Sequence, residues 1–287
     1  MRYVTAILAS LISLSASAQI IGAGASFPAP IYFKWADEYK QSTGKTINYQ
    51  SIGSSGGVKQ INAKTVDFGA SDVAVSDEEL KKRGQVQFPT VLGGVVVVIN
   101  LPTIEKNQIN LTTDQVGRLF SGKVSNWKDF DSALPDLPVT IVHRADGSGT
   151  TAIFTEYLSK NTKEFDLKSG KAIKWRGNTI GGKGNAGVAA MVTQVKGAIG
   201  YVEYAYAKQN NLITTKLNGV EPSADTFKSG AWDITAQTFI IVYPNGKNTK
   251  QVYEFFEWAY NNDQYVEQLD YVPLSDTVKN ESRKLWK

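Results

Sequence analysis

Hydrophobic residues along the chain follow two alternating patterns. Short apolar runs rich in β-branched residues predict strands, and longer stretches with apolar residues every three or four positions predict helices. The predicted strands are Thr46–Tyr49, Val66–Gly69, Val91–Asn100, Val139–Val142, Ala198–Val202 and Thr238–Tyr243. The predicted helices are Pro30–Gln41, Asp77–Arg83, Thr113–Phe120, Thr150–Ser159, Ala186–Gln194, Lys250–Asn261 and Ser275–Trp286. This alternation favours an α/β fold with parallel strands.

Two of the strand-like runs, residues 90–100 and 234–243, are long for single strands. No Pro/Gly/Ser-rich linker interrupts the chain, so we expect both runs to cross between two α/β domains. Paired crossings of this kind form a hinge beside a cleft. The first domain is then discontinuous, with residues 19–91 and 237–287 in domain I and residues 92–236 in domain II.

The first 18 residues have the pattern of a secretory signal peptide. Arg2 supplies the positive charge, residues 4–14 form a short apolar segment, and Ala16-Ser17-Ala18 is a small-x-small cleavage pattern. The apolar segment is too short to span a membrane. We therefore expect export to the periplasm with cleavage of the signal. Because the chain contains no cysteine, we expect no lipid anchor.

Composition limits the chemistry that the protein can perform. With no cysteine and one histidine, the chain cannot form disulfides and is not expected to hold zinc or an iron–sulfur cluster. We expect no metal and no cofactor. Lysine and arginine total 31 against 27 acidic residues, a net charge of +4 without a basic run. Nucleic-acid binding is therefore not expected, although a mildly basic surface helps to gather small anions.

Three Gly/Ser-rich loops each precede a predicted helix, at residues 22–30 (GAGASFPAP), 53–57 (GSSGG) and 143–151 (HRADGSGTT). The N-terminus of a helix offers unpaired N–H groups and a positive dipole end, which suits it to anions. Arg144 adds a fork of charged donors. An ordinary capped helix start, with Ser148 or Thr150 as N-cap, is an alternative explanation of the last loop. Three such loops on separate strand–helix units favour one shared oxyanion site.

Asp72 ends a short apolar run, at the strand edge where open α/β sheets place the ligand crevice. An ionised carboxylate can only accept hydrogen bonds, so it suits an anion that carries a proton. Monohydrogen phosphate has a proton to donate, and sulfate at neutral pH has none and would be rejected. A turn or N-cap role for Asp72 is the alternative. Asp146 either braces Arg144 or caps the helix.

A hydrolase is a second class of function to weigh. Residues 53–57 match the G-x-S-x-G pattern of a nucleophile elbow, and Ser55, Asp72 and His143 have the chain order of a hydrolase triad. However, the pattern is short, and His143 comes too early in the chain. A structural role for this histidine is the simpler interpretation. The glycine-rich stretch 181–185 lacks the Ser/Thr of a P-loop and predicts a tight turn before the next helix.

Seven blocks of the chain resemble the periplasmic phosphate-binding proteins of ABC-type phosphate importers. In order, the blocks are GAGASFPAP, YQSIGSSGGVKQI, VDFGASD, QFPTVLGGVVV, RADGSGTT, GGKGN-GVAA and GAIGYVEYAYAKQNNL. The resemblance runs from Gly22 almost to Lys287, with a shorter region around residues 220–232. It implies a periplasmic-binding-protein fold, in which a two-crossing hinge joins two α/β domains and the ligand lies in the cleft.

The resemblance also implies which residues bind the anion. Ser26 stands where the family commonly has threonine, so the hydroxyl is kept and one methyl group is lost. The Phe27 N–H lies beside it, and Asp72 matches the acceptor of the phosphate proton. The implied ligands are Ser26, Phe27, Ser54, Asp72, Arg144, Ser148, Gly149 and Thr150, with Asp146 as the supporting partner of the arginine.

These observations together predict a receptor with no enzymatic activity. We expect a monomer that binds inorganic phosphate with high affinity in the periplasm and delivers it to the membrane permease subunits of an ABC transporter. Another oxyanion, such as sulfate or molybdate, is the alternative ligand. A secreted serine hydrolase that uses Ser55 is the alternative from a different class.

Overall fold

The computed structural model describes residues 19–286, so the expected signal peptide lies outside the described residues. The strands are β1 Ile20–Gly24, β2 Ile47–Ser51, β3 Phe68–Ser71, β4 Val86–Asn100, β5 Asn110–Leu111, β6 Thr140–Arg144, β7 Thr179–Gly182, β8 Ala198–Glu203, β9 Ile213–Thr214, β10 Lys216–Leu217, β11 Thr235–Val242 and β12 Val272–Pro273.

The helices between these strands vary from single turns to four turns. They are α1 Ala29–Thr43, α2 Ser54–Asn62, α3 Asp77–Arg83, α4 Thr113–Phe120, α5 Trp127–Phe130, α6 Gly149–Asn161, α7 Gly184–Gln194, α8 Tyr204–Gln209, α9 Ala224–Ser229, α10 Thr249–Tyr260, α11 Asp263–Gln268 and α12 Asp276–Lys284. None of the helices between residues 19 and 286 combines the length and apolar character that a bilayer crossing requires.

A ten-stranded mixed sheet organises the described part of the chain. Its order is β2-β1-β3-β11-β4-β8-β6-β7, and β9 and β12 also pair with β4. Strand β1 is parallel to β2 and β3, and β6 is parallel to β7 and β8. We call β1–β3 the first strand group and β6–β8 the second strand group. The antiparallel strands β11 and β4 lie between them, and the predicted α/β class is confirmed.

Strand β4 is shared by the two sides of the sheet. Its residues 86–94 pair with β11, and its residues 95–100 pair with β8. Strand β11 begins at Thr235, which lies opposite Gly94. The two long runs that the sequence marked as crossings therefore pass side by side at one place in the sheet.

The core of the protein is built from aromatic and β-branched side chains on both faces of the sheet. Five consecutive residues of β4, Val95 to Ile99, are almost fully buried. Helix α1 buries Ile31, Trp35 and Tyr39 at a spacing of four residues, which places all three on one face. Full burial of one such side chain contributes about 1.5–3 kcal/mol. Both strand groups are thus rigid supports for the loops at their edges.

Two segments that the sequence predicted as loops are partly strands. Gly22 and Gly24 lie in β1, and Gly181 and Gly182 lie in β7. A Cβ atom on Gly22 would lie 2.0 Å from the ring of Phe68, its register partner on β3. The loop predictions were wrong because these glycines lie in strands and give room to neighbouring groups, a side chain at Gly22 and the backbone of α7 at Gly182.

Candidate anion-binding site

Polar residues of both strand groups meet where strands end and helices begin. Strand β1 leads to Ser26, β3 leads to Asp72, and β6 ends at Arg144. Helix α2 begins at Ser54 and helix α6 begins at Gly149. The carboxyl ends of parallel strands form the usual ligand crevice of an α/β sheet. All eight predicted ligand residues are buried, and the two charged ones, Asp72 and Arg144, are each 5% exposed.

Hydrogen bonds join the two sides of this site directly. The Gly149 N–H donates to Ser54 Oγ at 3.2 Å, and Ser54 Oγ donates to Asp72 Oδ2 at 3.1 Å. A Cβ atom on Gly149 would lie 2.5 Å from Ser54 Oγ and 2.6 Å from Asp72 Cβ. Glycine at position 149 therefore allows the helix N-terminus to approach the opposite side of the site.

A carboxylate holds the Arg144 guanidinium in a fixed orientation. Nε and Nη2 of Arg144 donate to the two oxygens of Asp146 at 2.8 and 2.5 Å, and Nη1 donates to Thr150 Oγ1 at 3.3 Å. Asp146 Oδ1 also accepts the Gly184 N–H at 2.9 Å. Burial alone would raise the pKa of Asp146, but the hydrogen bonds and charge of Arg144 lower it below its usual value. The bracing role predicted for Asp146 matches this geometry.

Asp72 has hydroxyl partners instead of a cation. Thr238 donates to Asp72 Oδ1 at 2.8 Å, and Ser54 donates to the other oxygen. Among residues 19–286, no ion pair within 4 Å includes this carboxylate. Burial raises the pKa of Asp72 to about 6, although Thr238, Arg144 and Ser54 act in the opposite direction. Near neutral pH the group is an ionised, buried hydrogen-bond acceptor.

Helix α6 directs its first turn into the site. Ser148 is the N-cap residue, and its Oγ accepts the Thr151 N–H at 3.0 Å. Gly149 and Thr150 follow in the first turn, whose N–H groups have no acceptor within the helix. The capping explanation therefore holds for Ser148. It is compatible with an anion site, because the cap fixes the turn that faces Ser54.

The sequence did not predict three side chains that belong to the site. Asn185, which is fully buried, donates to Ser26 Oγ and Thr150 Oγ1. Thr238 contacts Asp72, and the Tyr201 hydroxyl accepts the backbone N–H of Arg144. Asn185 lies in the glycine-rich stretch 181–185, which was a usable signal. Thr238 and Tyr201 lie within strands and carry no signal that separates them from core residues.

The hydrolase alternative has no geometric support. The His143 ring stacks on Trp175 with the ring centroids 5.5 Å apart, and its Nδ1 lies 3.0 Å from the carbonyl oxygen of Arg144. In the described part of the chain, no hydrogen bond joins Ser55 to His143. A general base must lie within hydrogen-bond reach of its nucleophile. The structural role predicted for His143 fits these contacts.

Comparison with known proteins identifies the family. The model of the PBP superfamily domain matches residues 12–263. The phosphate-binding protein PstS of Pasteurella multocida is 43% identical, over 98% of this chain and 94% of that protein. The phosphate-binding protein PstS of Haemophilus influenzae is also 43% identical, over 93% of this chain and 92% of that protein. The chain belongs to the PBP superfamily and, within it, to the family of phosphate-binding proteins PstS.

Solved structures share the fold at low sequence identity. A high-affinity periplasmic phosphate-binding protein, solved at subatomic resolution with phosphate bound at pH 8.5, has a TM-score of 0.79. It is 19% identical, and the alignment covers 93% of each chain. An ABC-type phosphate transport receptor from Vibrio cholerae has a TM-score of 0.64 and 17% identity, over 90% of this chain and 100% of that chain. The predicted periplasmic-binding-protein fold is confirmed.

Proposed function

We propose that this protein binds inorganic phosphate in a cleft between two α/β domains and delivers it to the permease subunits of an ABC transporter. The observation that carries the proposal is the buried carboxylate of Asp72, which accepts from the hydroxyls of Ser54 and Thr238 in the same site as a braced Arg144. Membership in a family of proteins named phosphate-binding protein PstS supports the same ligand.

The proposed ligands surround the anion with hydrogen-bond donors. A buried anion is tolerated only when it is fully hydrogen-bonded. Backbone N–H groups at helix N-termini and side-chain hydroxyls provide neutral donors, and Arg144 provides charged ones. The proposed set is Ser26, Phe27, Ser54, Asp72, Arg144, Ser148, Gly149 and Thr150, with Asp146 as the support of the arginine.

Selectivity follows from the ionisation of Asp72. Its pKa of about 6 leaves the carboxylate ionised near neutral pH, where it can only accept a hydrogen bond. Monohydrogen phosphate supplies the proton for that bond. Sulfate would place lone pairs and like charge against the same carboxylate, so the site rejects it.

The proposed domains are residues 19–91 with 237–287, and residues 92–236. The change of pairing partner along β4 and the position of Thr235 opposite Gly94 support a hinge at this place. Contacts such as Gly149 to Ser54 form only when the two sides are close together. Phosphate therefore favours the closed state, in which the set of donors is complete.

The closed state gives a membrane permease a form to recognise. We propose that the protein acts in the periplasm as a monomer, after cleavage of a signal peptide. Capture and release involve no covalent step, so no enzymatic activity is proposed.

Calorimetric titration of phosphate, and then of sulfate, into ligand-stripped mature protein near pH 7 tests the proposal. We expect one phosphate to bind tightly per chain and sulfate to give little response. Comparable binding of sulfate would contradict the role of Asp72. Binding of neither anion would contradict the proposed function as a whole.

A further inference from the structure

Asn185 lies at the centre of the hydrogen-bond network that joins the two sides of the site. It belongs to the first turn of α7 and is fully buried. Its Oδ1 accepts the backbone N–H of Glu203 at 2.9 Å. Because a backbone N–H can only donate, this contact fixes which end of the amide is the oxygen. The Nδ2 group must then face the other way.

The Nδ2 group donates to two hydroxyls of the proposed ligand set. It lies 2.9 Å from Ser26 Oγ and 3.2 Å from Thr150 Oγ1. Each hydroxyl oxygen accepts a second bond: Ser26 Oγ from the backbone N–H of Asn185 at 3.0 Å, and Thr150 Oγ1 from Arg144 Nη1 at 3.3 Å. A hydroxyl has two lone pairs and one proton. Both lone pairs of each oxygen are therefore occupied, and each proton remains to be donated.

The same arrangement recurs at Ser54. Its Oγ accepts the N–H groups of Asp72 and Gly149, both at 3.2 Å. Three hydroxyls of the site are thus fixed as donors by neighbouring N–H groups. The carboxylate of Asp72 is left as the acceptor among these contacts.

We infer that Asn185 is a positioning residue that turns the hydroxyl protons of Ser26 and Thr150 toward the bound anion. The inference rests on the proposed function, because it assigns Asn185 a role in phosphate binding without contact with phosphate. A freely rotating hydroxyl can present a lone pair to an anion, which is repulsive. Donors that are oriented before the anion arrives avoid this reorganisation.

Asn185 also couples donor orientation to closure of the cleft. Ser26 follows strand β1 of the first strand group, whereas Asn185 follows β7 of the second. The bonds between them exist only when the two groups are in contact. The Ser26 hydroxyl is therefore fixed as a donor in the closed form, which is the form that holds the anion.

Asn185→Asp is the most direct test, because it keeps the shape and removes the donor. The new carboxylate still accepts the Glu203 N–H, but the hydroxyls of Ser26 and Thr150 now donate to it instead of to phosphate. We expect phosphate affinity near pH 7 to fall by at least about 100-fold in calorimetric titration. For Asn185→Ala, which frees the hydroxyls without adding charge, we expect a loss of about 10-fold.

Two readouts separate positioning from a merely structural role. As pH falls, the new carboxyl group of Asn185→Asp becomes protonated and can donate a hydrogen bond again. The difference in phosphate affinity between this variant and the original protein should therefore become smaller. In a double-mutant cycle with Ser26→Ala, the effect of Asn185→Ala should be smaller than in the original background. A loss that is independent of pH, together with additive effects in the cycle, would overturn the inference.

Asn178→Asp is the matched control, because Asn178 Nδ2 also donates to a hydroxyl, Thr140 Oγ1 at 2.7 Å, outside the ligand set. We expect the phosphate affinity of Asn178→Asp to be unchanged.

If urea titration shows that Asn185→Asp does not fold, Asn185→Ala and the double-mutant cycle provide the test. Arg144→Ala, measured in parallel, separates the two proposals. If it abolishes phosphate binding while Asn185→Asp binds normally, the inference fails and the proposed function stands.

Discussion

Two carboxylates in the same site differ in their partners, a guanidinium for one and hydroxyls for the other, and their pKa values shift in opposite directions. Asp146, in the loop between β6 and α6, binds the Arg144 guanidinium through both oxygens. Asp72, at the end of β3, is held by the hydroxyls of Thr238 and Ser54. The pKa of Asp146 lies below its usual value, whereas burial raises the pKa of Asp72 to about 6.

Because of this difference, one carboxylate can hold the charged donor in place while the other accepts a proton from the ligand. Because Asp146 already pairs with Arg144, the arginine is held in place and presents Nη1 on the side of Thr150. If Asp72 were the partner instead, its oxygens would be occupied by the guanidinium and could not accept a proton from the ligand. Placing the two acids in different surroundings gives one braced donor and one free acceptor.

Removal of the Arg144 side chain should weaken phosphate binding more than any other single substitution in the site. Arg144→Ala deletes the charged donor and leaves the half-buried carboxylate of Asp146 without its partner. We expect phosphate binding to weaken by about 2–5 kcal/mol, as for other truncated buried charge pairs. Calorimetric titration measures the loss. Arg176→Ala, which removes an exposed partner of Asp166, is the control and should bind normally. Tight binding by Arg144→Ala would place Arg144 outside the contact with phosphate.

Changing the acceptor into a donor tests the other carboxylate. Asp72→Asn replaces one acceptor oxygen by an NH₂ donor and removes the negative charge that opposes sulfate. We expect sulfate affinity to rise by more than phosphate affinity falls, each change being about 1–3 kcal/mol. Competition between the two anions measures the ratio of phosphate affinity to sulfate affinity. If this ratio were the same in Asp72→Asn as in the original protein, the acceptor role of Asp72 would be contradicted.

Lowering the pH should turn the Asp72 carboxylate into a hydrogen-bond donor without a substitution. The pKa of Asp72 is raised from 3.8 to about 6, so below pH 6 the protonated acid predominates in the folded protein. A protonated carboxyl can donate to sulfate. We therefore expect sulfate affinity to rise as pH falls from 7 to 5, and phosphate-over-sulfate selectivity to narrow. Asp72→Asn should show no such rise, and an equal rise in that variant would assign the effect to another group.

The two carboxylates also show how far the sequence determines the site. The position of Asp72 at a strand end and the two-residue spacing between Arg144 and Asp146 marked both acids as candidates, with a capping role as the alternative for each. Thr238, in contrast, is 166 residues from Asp72. It arrives because β11 pairs with β3, with Phe239 opposite Ser71. That pairing is a property of the whole sheet, and local periodicity contains no information about it.

The fold likewise contains elements that local sequence predicts and elements that depend on packing against other parts of the chain. Periodicity located the long buried strands, such as β4, and most of the longer helices. It missed β1 and β7, whose glycines have no side chain that could contribute to an apolar pattern. Gly182 is needed in β7 because a Cβ atom there would lie 2.5 Å from the backbone of α7. The reason for that glycine is a helix that follows it in the chain and packs on the strand.

The smallest expected effect belongs to Ser55, the neighbour of a proposed ligand. Ser54 Oγ contacts Asp72 and Gly149. The Ser55 hydroxyl instead lies beside Gly147, and the backbone N–H of Ser55 donates to the Gly147 carbonyl at 3.0 Å. We expect Ser55→Ala to change phosphate affinity by less than about 0.5 kcal/mol. Ser54→Ala should cost about 1–3 kcal/mol, because it leaves buried N–H groups without an acceptor.

These adjacent serines form a matched pair, since each variant removes one oxygen atom from the same turn of the same helix. Calorimetric titration of both variants, together with an assay for ester hydrolysis, separates the two functions that the G-x-S-x-G pattern allows. Equal losses of phosphate affinity would mean that the turn as a whole, and not the Ser54 hydroxyl, faces the anion. Hydrolytic activity that disappears in Ser55→Ala while phosphate binding persists would assign Ser55 a nucleophilic role. Because His143 stacks on Trp175 and has no hydrogen bond to Ser55 within residues 19–286, we expect no such activity.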